Sequence, residues 1–341
     1  MRSVAITPDH IQGAVSLEAK PGGLKPWRIA YTQARLFPPD GAVPFSAGLP
    51  AGVRLRFRTD SPVVELTCTL EPHDSFEGRY DFRVNGDLAD TQVPVEAGPT
   101  TFRFEREGDG EALCEIWLAI FMPIQLESLR VAEGCSLEPV PDTRLKWLTY
   151  GSSITKCRTA DGASLTWPAV AARQCDLNLT CLGFGGQCHL EAMVGRMLRD
   201  LPADIITLKL GINVYGASSL TPRTYPGAVI GLIQLIREKH TRTPIGLITP
   251  ILSPEREAAP NNAGMTLEDY RVVNRDAFER LRALGDERLF LFEGPEVLLG
   301  LDDAHLLPDD LHPNGEGYQL MGRRAAERIL PKLLDAREIG G

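Results

Sequence analysis

The sequence has no apolar run approaching the ~20 residues that a membrane-spanning helix requires. Its first 20 residues, MRSVAITPDHIQGAVSLEAK, contain no apolar core of the secretory type and no small-residue cleavage pattern. It also lacks a basic excess. Lys and Arg number 36 against 45 Asp and Glu, the formal net charge is −9 and the pI is about 5.3, which argues against general nucleic-acid binding. The cysteines, at 68, 114, 135, 157, 175, 181 and 188, are odd in number and sit in apolar surroundings. Without a leader they read as reduced core residues rather than a disulfide framework, and the expected location is cytoplasmic. Cys181, Cys188 and His189 lack the paired spacing of a zinc site. GFGGQC lacks both G-x-G-x-x-G spacing and a Walker lysine, so neither a dinucleotide nor a nucleoside-triphosphate cradle is expected.

What remains is ordinary globular material, with 341 residues, 43% hydrophobic and 24% charged, enough for two cores. From Trp27 to Val131 the hydrophobic period is two. Val53, Leu55 and Phe57 alternate with Arg54, Arg56 and Arg58, and Leu66, Cys68 and Leu70 alternate with Glu65, Thr67 and Thr69. Tyr80, Phe82 and Val84 run into Asn85-Gly86, a hairpin turn pair. This spacing predicts an antiparallel, jelly-roll-like β-sandwich without helices. The three arginines read as the wet face of a strand or, alternatively, as part of a ligand-binding surface. Glu138-Pro139-Val140-Pro141-Asp142 is an extended connector, which divides the chain into 1–142 and 143–341.

Beyond it, strands are expected at 145–150, 178–184, 205–211, 244–250 and 288–293. Helices are expected at 164–175, 189–200, 224–240, 266–284 and 316–334. Alternation of this kind means a five-stranded parallel sheet wrapped by helices.

The second half is organised around LKWLTYGSSITK (145–156), an apolar strand that ends at Gly151 and delivers Ser153 to its carboxyl end. A serine hydroxyl needs a base and a group to orient that base. LLPDDLHPNGEGYQLMG (306–322) offers both, with Asp309 three residues before His312. Asp302 and His305 have the same spacing and compete, but turn residues and an amphipathic helix follow the later pair directly. Taken alone, Asp309 and His312 also make an ordinary surface turn. His10, His73, His189 and His240 have weaker claims, His189 being a helix-start or surface residue. Acyl transfer also needs donors for an oxyanion. The backbone N–H groups of Ser153 and of Gly186 in LGFGGQ and the side-chain amide of Asn213 in KLGINVYG each follow a different expected strand. Lys156 and Arg158, if they line the entrance, favour an anionic acyl donor such as a coenzyme A thioester.

GSSIT, the glycine of GFGGQ, GIN and DDLH resemble the four blocks of the SGNH (GDSL-type) hydrolase superfamily in order and spacing, over about residues 145–334. The resemblance implies a flavodoxin-like α/β/α sandwich, with Ser153 as nucleophile, His312 as base and Asp309 as its orienter. It also implies an oxyanion hole formed by Ser153, Gly186 and Asn213. From the missing metal and nucleotide spacings, neither a metal nor a cofactor is expected, apart from an acyl-coenzyme A co-substrate. A β-sandwich followed by such a domain is similar to a subgroup that includes carbohydrate esterases and a salicylyl-transferring enzyme of a tetracycline-type pathway. Ser152 stands where the family usually has an acidic residue, and Val214 where it usually has an aspartate; neither position carries the proton. The absence of G-x-S-x-G sets aside the α/β-hydrolase elbow.

The expectation is therefore a serine esterase acting on esters of small molecules or sugars. The alternative is an acyltransferase moving an acyl group from a thioester to a hydroxyl of a polyketide or sugar. A third reading, of another class, is a carbohydrate- or partner-binding module with a degenerate catalytic domain. No nucleic-acid or membrane partner is expected.

Overall fold

The structure, a computed structural model, describes residues 1–38, 41–72 and 78–338. Two compact units are present. One comprises Met1–Arg35, Pro44–Arg144 and Asp161–Ser164, the other Leu36–Val43, Leu145–Ala160 and Leu165–Gly341.

The first unit is a sandwich of two antiparallel sheets. In one, the strands run in the order Ser16–Lys20, Gly23–Trp27, Ile124–Val131, Val63–Leu70, Gly98–Glu105, with Arg2–Ala5 also paired to Ile124–Val131. In the other the order is Leu137–Pro139, Arg54–Thr59, Ala112–Trp117, Tyr80–Val84, Asp87–Gln92, with Ile11–Gln12 beside Arg54–Thr59. The inward side chains of the alternating strands meet between the sheets, where Phe82 stacks on Phe104 at 5.0 Å and Tyr80 meets Phe102 at 4.3 Å. Asn85 and Gly86 turn the expected hairpin with φ of 50° and 93°, as a type I′ turn requires.

Two expectations for this unit need correcting. A six-residue helix, Ala42–Ala47, interrupts the β series; AVPFSA is too short to show a helical period. Of the three alternating arginines only Arg58 faces water. Arg54 is fully buried, with its guanidinium 5.0 Å from the Trp117 ring and bonded at 2.6 Å to Asp142. Arg144 also holds Asp142, and Arg56 donates to the Val140 carbonyl at 2.9 Å. Burial alone would raise the Asp142 carboxyl, but Arg144 and Arg54 outweigh it and hold it far below the usual carboxylate range.

The second unit is a five-stranded parallel sheet of Leu145–Gly151, Leu177–Gly183, Ile205–Lys209, Ile245–Ile248 and Leu289–Phe292, in spatial order 2-1-3-4-5. This is the flavodoxin-like order, whose switch point lies between the first and third strands and marks the crevice where such sheets place ligands. Trp147 of the first strand packs at 5.8 Å on Trp167 of the Trp167–Gln174 helix and donates to Thr207 across the sheet at 3.0 Å. The long helix Leu267–Ala283 opens on the expected capping box of Thr266 and Asp269. The helix expected at 316–334 is two, Gly315–Arg328 and Leu330–Glu338. Pro331 has no N–H to give a helix interior, so a new helix begins with it in the first turn.

Candidate active site

The chain leaves the first two strands at the same level, because Gly151 and Gly183 are register partners in the parallel pair. After Gly151, Ser152 caps the one-turn helix Ser153–Lys156, its hydroxyl accepting the Ile154 N–H at 3.2 Å. Serine thus fills the capping role at the position where the family usually has an acid. A Cβ on Gly183 would lie 2.3 Å from the backbone nitrogen of Lys156, so the turn carrying Ser153 seats directly on that glycine.

Ser153 Oγ lies 2.9 Å from His312 Nε2. On the far side of the ring, His312 Nδ1 lies 2.7 Å from Asp309 Oδ2, and the His312 backbone N–H donates to Asp309 Oδ1 at 2.6 Å. Leu311 N–H adds a third donor to that carboxylate at 3.2 Å. His312 is buried, whereas the Asp309 side chain is 54% exposed. Burial pulls the Asp309 carboxyl upward, but the hydrogen bonds from the His312 backbone and ring outweigh it and set it below its ordinary value. The Nδ1 contact to a carboxylate places the proton there and leaves Nε2 as the acceptor facing the serine.

The second loop carries Gly185 and Gly186. Gly186 has φ +70°, and a Cβ there would meet nothing within 4 Å. Its glycine answers to the left-handed backbone. Close approach belongs to Gly185, where a Cβ would touch Ser153 Cβ at 3.7 Å and Lys156 Nζ at 3.3 Å. His189 ties the loop down, with Nε2 2.9 Å from the Gly186 carbonyl and Nδ1 2.7 Å from Ser219 Oγ.

The third loop begins the short helix Ile212–Ala217. Asn213 Oδ1 accepts the Cys188 N–H at 3.1 Å, which fixes the amide orientation and frees Nδ2. Among the described residues, the N–H groups of Ser153 and Gly186 and Asn213 Nδ2 donate to no protein acceptor.

The remaining candidates fall elsewhere. His305 is exposed and bonds through Nδ1 to the Asp302 carbonyl at 3.2 Å, not to a carboxylate. His10 pairs with Thr7, and His240 with Thr243 and the Leu201 carbonyl. His73 lies outside the described residues. Lys156 is buried, with its ammonium beside the Gly185 loop, whereas Arg158 is exposed. Sequence reasoning missed the bond from His189 to Gly186 and the burial of Lys209, whose Nζ has no hydrogen-bond partner among the described residues. The only signal for the latter is that Lys209 closes IITLK, a strand of a sheet buried on both faces.

A hydroxyl, an imidazole and a carboxylate in line at the carboxyl edge of a 2-1-3-4-5 sheet define the SGNH class of serine esterases and acyltransferases. The chain belongs to the GDSL-like lipase/acylhydrolase family, which matches residues 146–330. The family described as the SsfX3 N-terminal domain matches residues 10–126. Among solved structures, the salicylyl-acyltransferase SsfX3 from a tetracycline biosynthetic pathway is 31% identical, with 97% of each chain covered and a TM-score of 0.89. A putative GDSL-like lipase from Bacteroides ovatus is 20% identical, with 98% of each chain covered and a TM-score of 0.81. A family two carbohydrate esterase from Clostridium thermocellum is 15% identical over 95% of this chain and 99% of that one, with a TM-score of 0.69. The latter two share the fold. No curated protein matches the chain. Among the described residues, no helix is long and apolar enough to cross a membrane.

Proposed function

We propose that the enzyme moves acyl groups through a covalent ester on Ser153, with water as the acceptor and esters of small molecules or sugars as substrates. One observation carries this reading: the Ser153–His312 contact of 2.9 Å, continued to Asp309 at 2.7 Å. In this reading His312 Nε2 takes the serine proton as Oγ attacks the carbonyl, and Asp309 stabilises the imidazolium. The oxyanion collects the N–H groups of Ser153 and Gly186 and the Asn213 amide, three donors that have no acceptor among the described residues. The leaving group departs with the proton held on His312. His312 then draws a proton from the incoming acceptor, which attacks the acyl-enzyme, and Ser153 regains its own. The sandwich, residues 1–142, is read as an accessory domain to the catalytic 143–341.

A specific observation favours a second acceptor. The 31% identity to an acyltransferase runs through 97% of both chains, sandwich included. It supports transfer from a thioester, such as an acyl-coenzyme A, to a hydroxyl of a polyketide or sugar. The unbroken Ser–His–Asp line speaks against a degenerate domain serving only as a binding module.

The test is fluorophosphonate labelling of the full chain together with hydrolysis of p-nitrophenyl acetate. The reading expects both in wild type and neither in Ser153→Ala. A wild type that neither labels nor hydrolyses would overturn it.

A further inference from the structure

Asp310 lies between the proposed orienter and the proposed base, and its backbone is left-handed, with φ +55°. Aspartate adopts that conformation more readily than most residues with a Cβ but less readily than glycine, so contacts that favour it bear on the turn. Two side chains supply such contacts from a different part of the unit. Ser253 Oγ donates to the Asp310 carbonyl at 2.6 Å, and Arg256 Nη1 donates to the same oxygen at 3.1 Å. Arg256 Nη1 also meets Ser253 Oγ at 3.1 Å, closing a three-membered contact.

The clamp is anchored. Ser253 is 1% exposed. Its own N–H donates to Glu257 at 2.8 Å, and both Glu257 oxygens are held by Arg271, at 2.5 and 2.8 Å. Arg271 belongs to the Leu267–Ala283 helix and also donates to the Pro250 and Ile251 carbonyls, each at 3.0 Å. The segment after the fourth strand is thereby tied to a long helix, and it presents two donors to one carbonyl.

That carbonyl matters because the Asp309 carboxylate is aimed by the backbone that follows it, through the N–H groups of Leu311 and His312. If Asp310 relaxes to the ordinary right-handed region, those N–H groups turn, and the carboxylate leaves the line to His312 Nδ1. We propose that Ser253 and Arg256 are positioning residues for the base. By holding the Asp310 carbonyl they maintain the left-handed turn that keeps Asp309 on His312. The inference rests on the Ser153–His312–Asp309 reading. It assigns no contact with substrate to either residue, so their loss falls on kcat rather than KM.

The test compares wild type, Ser253→Ala and the double variant Ser253→Ala/Asp310→Gly as full-length chains. The readouts are steady-state hydrolysis of p-nitrophenyl acetate and the rate of fluorophosphonate labelling. Ser253→Ala should lower kcat and the labelling rate by about 10-fold, with KM within about 2-fold. Adding Asp310→Gly should recover most of that loss, since glycine adopts φ > 0 unaided. A variant with only a structural defect around Ser253 would regain nothing from a second change at Asp310, within the turn between Asp309 and His312. Should Ser253→Ala not fold, Arg256→Met removes one of the two donors and should show the same fall in kcat. A wild-type rate in the variant that is read, or a loss that Asp310→Gly does not relieve, overturns the clamp while wild type still labels. A wild type that fails to label overturns the underlying reading instead.

Discussion

Asn213 and Cys188 are joined by a single hydrogen bond, in which the Cys188 N–H donates to Asn213 Oδ1 at 3.1 Å. The bond runs from the loop after the second strand to the loop after the third. It decides which end of the asparagine amide faces away, and so makes a donor of a residue that could otherwise present an acceptor.

Asn213→Asp keeps the acceptor for Cys188 and removes the Nδ2 donor. The kcat for p-nitrophenyl acetate should fall by on the order of 10²–10³ with the far-ultraviolet circular dichroism unchanged. A kcat within a few-fold of wild type would remove Asn213 from the oxyanion hole.

The two glycines of the neighbouring loop should respond differently to alanine. At Gly186 the φ of +70° is the whole obstacle, because a Cβ meets nothing within 4 Å, and the expected cost is about 1 kcal/mol of stability. At Gly183 the Cβ would press on the Lys156 backbone nitrogen at 2.3 Å, so the turn carrying Ser153 must shift. Urea denaturation should show Gly183→Ala as clearly the more damaging, in stability and in kcat alike. Equal effects would contradict this account of the loop.

Asp309 has a carboxyl that the hydrogen bonds of His312 lower against the upward pull of burial. A depressed folded-state pKa adds stability at pH values above the unfolded carboxylate's, and that gain is lost as pH falls through the folded value. Wild type should therefore be more stable than Asp309→Asn near neutrality, with the gap closing below the ordinary value of 3.8. Its kcat near pH 7 should exceed that of the variant by on the order of 10²–10⁴. Urea midpoints across pH 3 to 7, taken as an approximate window around that carboxylate value, measure the first effect and steady-state kinetics the second.

Lys209 is a buried cation whose Nζ has no hydrogen-bond partner among the described residues. Burial pulls its pKa down to about 8 from 10.5, helped by Arg271 and opposed by Cys188 and Cys157. Between those two values the unfolded chain holds a proton that the folded chain has shed, so wild-type stability should rise with pH across that window. Below about 8 the full penalty of the buried charge is present. Lys209→Met should accordingly be more stable than wild type by about 1–3 kcal/mol near pH 7, the advantage shrinking toward pH 10.5. A destabilised Lys209→Met would mean that the ammonium has a partner.

How much could be read in advance differs by level. The sandwich strands around Leu55, Leu66 and Phe82 are legible because period-two alternation is a local property of the chain. The same alternation placed Arg54 on the outer side of its strand correctly, yet it does not reveal what covers that side; Trp117 and Asp142 lie 63 and 88 residues further on. The strands Arg2–Ala5, Ser16–Lys20 and Gly23–Trp27 escaped notice because RSVA is short and GLKPW holds a glycine and a proline. In the second unit, Ser153, Gly186 and Asn213 stand out because each follows closely on an apolar strand, and His312 because turn residues and an amphipathic helix follow it. The supports around them do not. Ser253 and Arg256 reach the Asp310 carbonyl across 57 and 54 residues, and His189 reaches Ser219 across 30, contacts that leave no period and no spacing in the sequence.

The central claim is a covalent intermediate on Ser153, and intact-mass spectrometry of the enzyme mixed with a panel of esters and acyl-coenzyme A donors addresses it directly. The account predicts a mass increase equal to the acyl group, located on the peptide containing Ser153, absent in Ser153→Ala, and discharged by water or an added alcohol. Turnover of these donors by Ser153→Ala, or an acyl group trapped on another residue, would contradict it.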